Sequence, residues 1–390
     1  MADEQIVLRS LLTEAERPLY HGHAGVRDWF DNVFGVFPDW QPRPRPASHD
    51  EDGSVVIGLD VTATGAGSGV PIDQIYWLGA RVRDAKILFF GFFRTEEDAL
   101  AAVRSTKMIP PDTAIGRVRL RVADIDDLAA FYERAIGLRA VEREGDLARL
   151  GPEGGEPLIE LVSAPDGPPA PSFSTGLFHL AILVPDRAEL ARSLQRAANA
   201  GWRLTGASDH LVSEALYLRD PEGNGIEIYR DRPRDQLGHD GAELRMATLP
   251  LDLQDVLDEL DAAEGPANGV PADTTMGHVH LQVADIPAAE GFYNGALGLD
   301  VMVRSYPGAL FLAAGGYHHH VGLNTWQSEG APPPPEGALG LDRYEIVLPD
   351  GAAVDAAAEA LGERGDPERV DEGVLATDPS GNRVLLRARA

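Results

Sequence analysis

Residues 277–283, GHVHLQV, alternate along an extended chain: His278, His280 and Gln282 share one face, and Val279, Leu281 and Val283 share the other. The chain then turns at Ala284-Asp285, reads as a helix, and stops at Gly298. The same order occupies residues 116–138, where GRVRLRVADIDDLAAFYERAIGL matches GHVHLQVADIPAAEGFYNGALGL of 277–299. Asp124 and Asp285 stand where helix N-caps belong, and Gly137 and Gly298 where C-terminal caps belong. Two further strand–helix starts follow the same pattern, at 176–201 and 341–365. The segments DPEGNGIEIY (220–229) and DPSGNRVLLR (378–387) each read as a tight turn leading into a strand. The chain from 113 onward is therefore four units of strand, helix and further strands, starting near 115, 176, 276 and 341.

These patterns divide the chain into residues 1–105, a first pair of units at 113–232, a linker at 233–273 and a second pair at 274–390. The linker carries one expected helix, LDLQDVLDELDAA, and a connection of that length usually has a function or wraps another element. The first 105 residues differ from the rest. YHGHAGVRDWFDNVF is followed by GSGVPIDQIYWLGARVRDAKILFFGFF, and QIVLRSLL reads as an opening strand.

Composition narrows the chemistry. The 390 residues contain no cysteine, so disulfides, thiolate ligands and a cysteine nucleophile are excluded, and any metal must rest on His, Asp and Glu. A formal charge of −28 opposes binding to nucleic acid and to anionic membranes. There is no apolar run long enough to span a bilayer, and MADEQIVLRS lacks the apolar core of a signal peptide. The expectation is a soluble cytoplasmic protein with 44% apolar residues to build its cores.

The strand faces then separate the four units. Unit one presents Arg117, Arg119 and Arg121 where unit three presents His278, His280 and Gln282. Guanidinium has no lone pair to offer a cation. Unit two presents His179, Ala181 and Leu183, and unit four has Arg343 in the place of His179. In the final strands, Glu227 lies between Ile226 and Ile228, a costly place for a carboxylate without a partner or a cation. Leu385 takes that place in unit four. Two histidines and one carboxylate with open positions form the facial triad of non-haem Fe(II) oxygenases. Pairing units one with two and three with four would split His179 and Glu227 from His278. Pairing unit two with unit three would unite them, leaving units one and four with arginines and no metal. Pairing of two with three is the expectation, within one chain or across a dimer.

The repeats, DPEGNGIEIYRDRP and GGYHHHVGLNTW together resemble the vicinal oxygen chelate superfamily of glyoxalases, bleomycin-resistance proteins and extradiol dioxygenases, over about 113–390. The resemblance implies an α+β fold of four βαβββ units forming curled mixed sheets around a metal site. Within the superfamily the motifs look most like the catechol-2,3-dioxygenase branch. That branch takes one His ligand from one unit and His plus Glu from its partner, here His278 with His179 and Glu227. It also implies a tyrosine ten residues before the glutamate, Tyr217, and a catalytic histidine late in the one-His unit, which falls on His320. Alternation would place His318 beside His320 and turn His319 away. His210, His280 and His318 are then expected to reach the substrate. The implied cofactor is Fe(II), with Mn(II) as the alternative, and the implied partners are a small aromatic diol and O2. A metal-dependent lyase or isomerase of the same fold is a rival reading. So is a metal-free protein that sequesters an aromatic natural product. Whether the chain is a homo-oligomer is left open.

Residues 1–105 resemble a SnoaL-like α+β cone, a curved sheet around a pocket. That family normally has about two helices before its first strand, whereas this chain opens almost directly on that strand, so the expectation is either an incomplete cone or a true start that lies upstream. Some relatives are polyketide cyclases with an Asp/His pair in the pocket. His21, His23 and Asp60 are the polar groups available for that role.

Overall fold

The computed structural model describes the chain except for residues 1, 11–18, 52–53, 67–68, 84–85, 106–108, 241–242, 261–268, 363–366 and 390. The chain forms two compact units, one built on residues 1–108 with 240–242, the other on 109–239 and 243–390.

The first unit is a six-stranded sheet with helices Gly22–Val36 and Glu96–Ser105. Its long strands Gln41–Glu51, Ser54–Thr64, Pro71–Arg83 and Lys86–Phe93 follow one another antiparallel. Ala2–Arg9 adds parallel to the last of these. Trp29 of the first helix is buried against Phe92 and Val61, and its indole N–H donates to Ser10 Oγ at 2.7 Å. Contrary to expectation, Asp60 and His23 are not buried in a pocket. Asp60 is half-exposed and held by Arg45 at 2.6 Å, and His23 is exposed, because both sit on the solvent side of their elements. The side chain of His21 lies outside the described residues.

The second unit holds two large mixed sheets. In each, the first strands of two repeats lie side by side and antiparallel. Gly176–Leu183 pairs with Thr275–Gln282, joining units two and three in a nine-stranded sheet. Gly340–Leu348 pairs with Ala114–Val122, joining units four and one in an eight-stranded sheet. Each stretch of two consecutive units thus gives one unit to each sheet, all within a single chain. The final strand of each unit runs parallel beside its first, as Gly225–Asp231 does beside Gly176–Leu183.

The sequence repeats have direct physical causes. Asp124 caps its helix by accepting from the N–H groups of Asp126 and Asp127, and Asp285 does so from Ala288. Gly137 and Gly298 end those segments at φ 92° and 80°, where only glycine is unstrained. In the DPxGN turns, Asp220 accepts from the N–H groups of Glu222 and Asn224, and Asp378 from those of Ser380 and Asn382. The same aspartates accept from the hydroxyls of Tyr132 and Tyr293, at 3.2 and 3.0 Å. Each repeated Phe-Tyr thus ties the helix of one unit to the turn of the next. The apolar strand faces, Val118, Leu120, Val279 and Leu281 among them, are fully buried in one shared core. In the linker the helix is short, Leu253–Leu257, capped by Asp252. Part of the expected helix lies outside the described residues. Leu249–Pro250 adds to the edge of the nine-stranded sheet.

Candidate metal centre

Pairing of units two and three brings their polar faces together. In register, His179 faces His280 and Ala181 faces His278, while Tyr217 lies across from Glu227 on the neighbouring strand pair. His179, Glu227 and His278 consequently converge. His179 Nε2 is 2.9 Å and His278 Nε2 3.3 Å from Glu227 Oε2. One ligand-type atom from each lies within 4.8 Å of the others, and all three residues are buried. His179 Nε2 makes no hydrogen bond despite its closeness to the carboxylate. Two imidazole nitrogens and a carboxylate oxygen, aimed at one point with one nitrogen left without a partner, fit a divalent cation.

Electrostatics agree with that reading. Burial pushes His278 down to about 4, so the imidazole is neutral and keeps a lone pair. Burial alone would raise Glu227, but the facing His278 and His179 outweigh it and hold the carboxyl well below its usual range. Glu227 is therefore an anion and His278 a neutral nitrogen donor, the forms a divalent cation selects.

His179 and Glu227 form part of the wall of a cavity of about 380 Å³, large enough for a single-ring ligand. Phe178, Phe311, Tyr306 and Trp326 supply much of the apolar lining. The polar lining includes His210, Tyr217, His280 and His319. Tyr217 Oη is 2.6 Å from His210 Nε2, and His210 Nδ1–H donates to the Ala247 carbonyl at 2.8 Å. Burial, with Glu227 beside it, raises Tyr217 well above the ordinary phenol, so it keeps its proton. His280 is buried, pushed well below its usual range by burial, and its Nε2 has no hydrogen-bond partner. Gly322 makes room for that ring, since a Cβ there would lie 3.0 Å from it.

The expected order of the histidine run is reversed. Residues 318–320 are not in a strand. The strand is Val321–Asn324, and it follows a turn in which Gly315 and Gly316 both have positive φ. Alternation therefore does not carry back through the run. His319, expected to point away, lines the cavity with its ring 4.0 Å from that of His278. His320 lies outside the cavity wall, and its Nδ1 accepts from the Ala314 N–H at 3.1 Å. Burial pushes it down to about 3. His318 likewise does not reach the cavity and bonds Asp231 at 2.8 Å. His179, Glu227, His278, Tyr217, His210 and His280 are brought together as the residue pattern implied. Met246, Ala247 and Thr248 of the linker also line the cavity, and no motif in the linker pointed to them.

The matching hollow of units one and four is closed by ion pairs. Arg117 meets Glu345 at 2.7 Å and Glu160 at 3.5 Å. Arg119 bonds Glu160, Arg121 bonds Asp342, and Arg343 bonds Glu372. Guanidinium groups stand where imidazoles stand in the other sheet, and a cation finds no site there.

The family model of the Glyoxalase/Bleomycin resistance protein/Dioxygenase superfamily matches residues 114–228 and 275–386. The chain belongs to that superfamily. It is 42% identical over 257 residues to a Bacillus subtilis (strain 168) protein named catechol-2,3-dioxygenase, covering 65% of this chain and 89% of the relative. Among solved structures, it shares its fold with a putative dioxygenase from Bacillus subtilis, at 14% identity and a TM-score of 0.50, over 70% of this chain and 84% of that one. The family match leaves residues 1–113 outside it. No helix among the described residues is long and apolar enough to cross a membrane.

Proposed function

We propose that the chain is an extradiol dioxygenase that opens a catechol-type ring beside its diol, using O2 and yielding a hydroxymuconic-semialdehyde-type product. The observation that carries this reading is the buried His179–Glu227–His278 set, two of whose members, His179 and Glu227, lie in the wall of an aromatic-lined cavity with further protonatable groups alongside. The name of the 42% identical relative supports it. His179, His278 and Glu227 are the residues that would hold Fe(II), with Mn(II) as the alternative. Such an ion supplies the one-electron chemistry that lets O2 react with a closed-shell diol.

The chain's own groups do the rest. Phe178, Phe311 and Trp326 flank the ring and keep water away from it. Tyr217, held protonated, donates its O–H to His210 Nε2 and turns its oxygen lone pair to accept a hydrogen bond from a substrate hydroxyl. His319 accepts a phenolic proton and returns it as the ring opens, the general acid–base role that His suits. His280, with its free buried Nε2, offers a further hydrogen bond toward the substrate. For residues 1–105 we favour a SnoaL-like cone serving as a binding or dimerisation module. Its sheet and two helices support this, and the solvent-facing Asp60 and His23 speak against chemistry there.

The test is oxygen uptake. Protein purified anaerobically and loaded with Fe(II) is mixed with a panel of catechols. One O2 consumed per catechol, with the absorbance of a ring-opened semialdehyde, is the expected result. Iron-loaded protein that binds catechols but consumes no O2 would point to a sequestering protein instead.

A further inference from the structure

His318 and His319 form part of a hydrogen-bond chain that leads from the partly exposed Asp231 to the cavity. Asp231 Oδ1 lies 2.8 Å from His318 Nε2 and also accepts from the Tyr317 hydroxyl at 3.3 Å. The Tyr229 hydroxyl is 2.6 Å from that of Tyr317. His318 Nδ1 is 2.7 Å from His319 Nδ1. His319 lines the cavity and packs on His278, whereas His318 does not line it.

Donor and acceptor identities along this chain are constrained. A carboxylate only accepts, so the proton between Asp231 and His318 sits on His318 Nε2. In a neutral imidazole the other nitrogen then carries the lone pair, and His319 Nδ1 must be the donor to it. His319 is left with its lone pair on Nε2, the one nitrogen not engaged by His318. Space for the network is built in at Gly277, where a Cβ would lie 1.8 Å from the Tyr229 hydroxyl.

We propose that Asp231 and His318 are positioning residues that hold His319 in its Nδ1–H tautomer, with Nε2 presented as the proton acceptor for a cavity-bound diol. This rests on the dioxygenase reading for its purpose, while the tautomer assignment stands on the hydrogen-bond chain alone. The geometry accounts for two of the three histidines as a coupled pair, and leaves His320 bonded to the backbone.

The experiment begins with metal-free protein labelled with ¹⁵N-histidine. Two-bond ¹H–¹⁵N correlations, assigned with His318→Gln and His319→Gln, report which ring nitrogen carries each proton. His319 protonated at Nδ1 and His318 at Nε2 is the expected result. His319 protonated at Nε2 would overturn the proposal, since a cationic His318 donating to it gives that opposite pattern. The second arm is Asp231→Leu, reconstituted with Fe(II). A loss of about 10–100-fold in kcat, the range for orienting partners, is expected with iron content and KM unchanged. Asp231→Asn keeps an acceptor and should restore most of the loss. Unchanged kcat in Asp231→Leu overturns the positioning role. The spectrum requires neither metal nor substrate, so it can fail separately from the dioxygenase reading, which fails when iron-loaded wild type consumes no O2.

Discussion

Arg117 and His278 occupy equivalent places in the two sheets, and each faces the equivalent residue of the neighbouring strand. His278 is in register with Ala181, while Arg117 bonds Glu345, which lies two residues after Arg343 as Ala181 lies two after His179. The repeat thus supports two hollows of one backbone design. One is closed by buried ion pairs, and the other gathers ligand-type atoms with an unpartnered nitrogen. A half-buried arginine removed from the first should therefore cost stability and leave the second alone. Arg117→Ala strips one partner each from Glu345 and Glu160, which keep Arg387 and the Arg119–Arg149 pair respectively. A loss of about 1–3 kcal/mol is expected, the scale of an under-satisfied buried polar group. Denaturant midpoints check this, and iron content should stay at the wild-type level.

The histidine run gives a second prediction. His319→Phe should keep iron and lose turnover by about 10²–10⁴-fold, the range for a general acid–base group. His320→Phe should retain most of its turnover, since its ring accepts from the Ala314 N–H and lies outside the cavity wall. Steady-state oxygen uptake on both iron-loaded variants decides between them. The reverse ranking would return the role to His320.

Much of this site was legible before the structure. Alternation in GHVHLQV and GRVRLRV placed His278 and Arg117 on inward faces because those segments are regular strands with fully buried opposite faces. The pairing of units two and three followed from charge: only that pairing unites His179, Glu227 and His278 without an arginine at the cation. Alternation failed at 318–320 because the Gly315–Gly316 turn delays the strand to Val321, and a bend has no period of two. The contribution of Met246–Thr248 was hidden because it depends on where the linker lies, not on its residue types. Asp60 carried a polar-pocket signal, but ion pairing with Arg45 on the solvent side accounts for it.

Gly277 offers a packing test. A Cβ there would stand 1.8 Å from the Tyr229 hydroxyl, so Gly277→Ala must displace the ring that packs on His278 at 4.8 Å. A destabilisation of about 1–3 kcal/mol is expected from overpacking. Urea unfolding of the metal-free protein measures it. A midpoint equal to wild type would show that Tyr229 moves freely.

Acid should weaken the metal-free protein. His278 is depressed to about 4 and His320 to about 3, both by burial, and His280 and His319 are also pushed well below the usual value. The unfolded chain therefore binds protons that the folded chain refuses as pH falls below about 6.5. Each such histidine removes stability progressively from there down to its folded value, by about 1.4 kcal/mol per pH unit at most. Asp300, raised to about 6 by burial, acts the other way and offsets part of one of them. The urea midpoint of metal-free protein should fall between pH 7.5 and pH 5. A midpoint that rises or holds over that interval would contradict the neutral buried histidines.

Iron content in the wild type and in Glu227→Ala tests the central claim most directly. Wild-type protein purified anaerobically with Fe(II) and freed of excess metal should carry one iron per chain through His179, His278 and Glu227. Glu227→Ala, with unchanged secondary structure by circular dichroism, should carry almost none, because the only carboxylate of the set is gone. Wild-type iron content in Glu227→Ala would contradict the account.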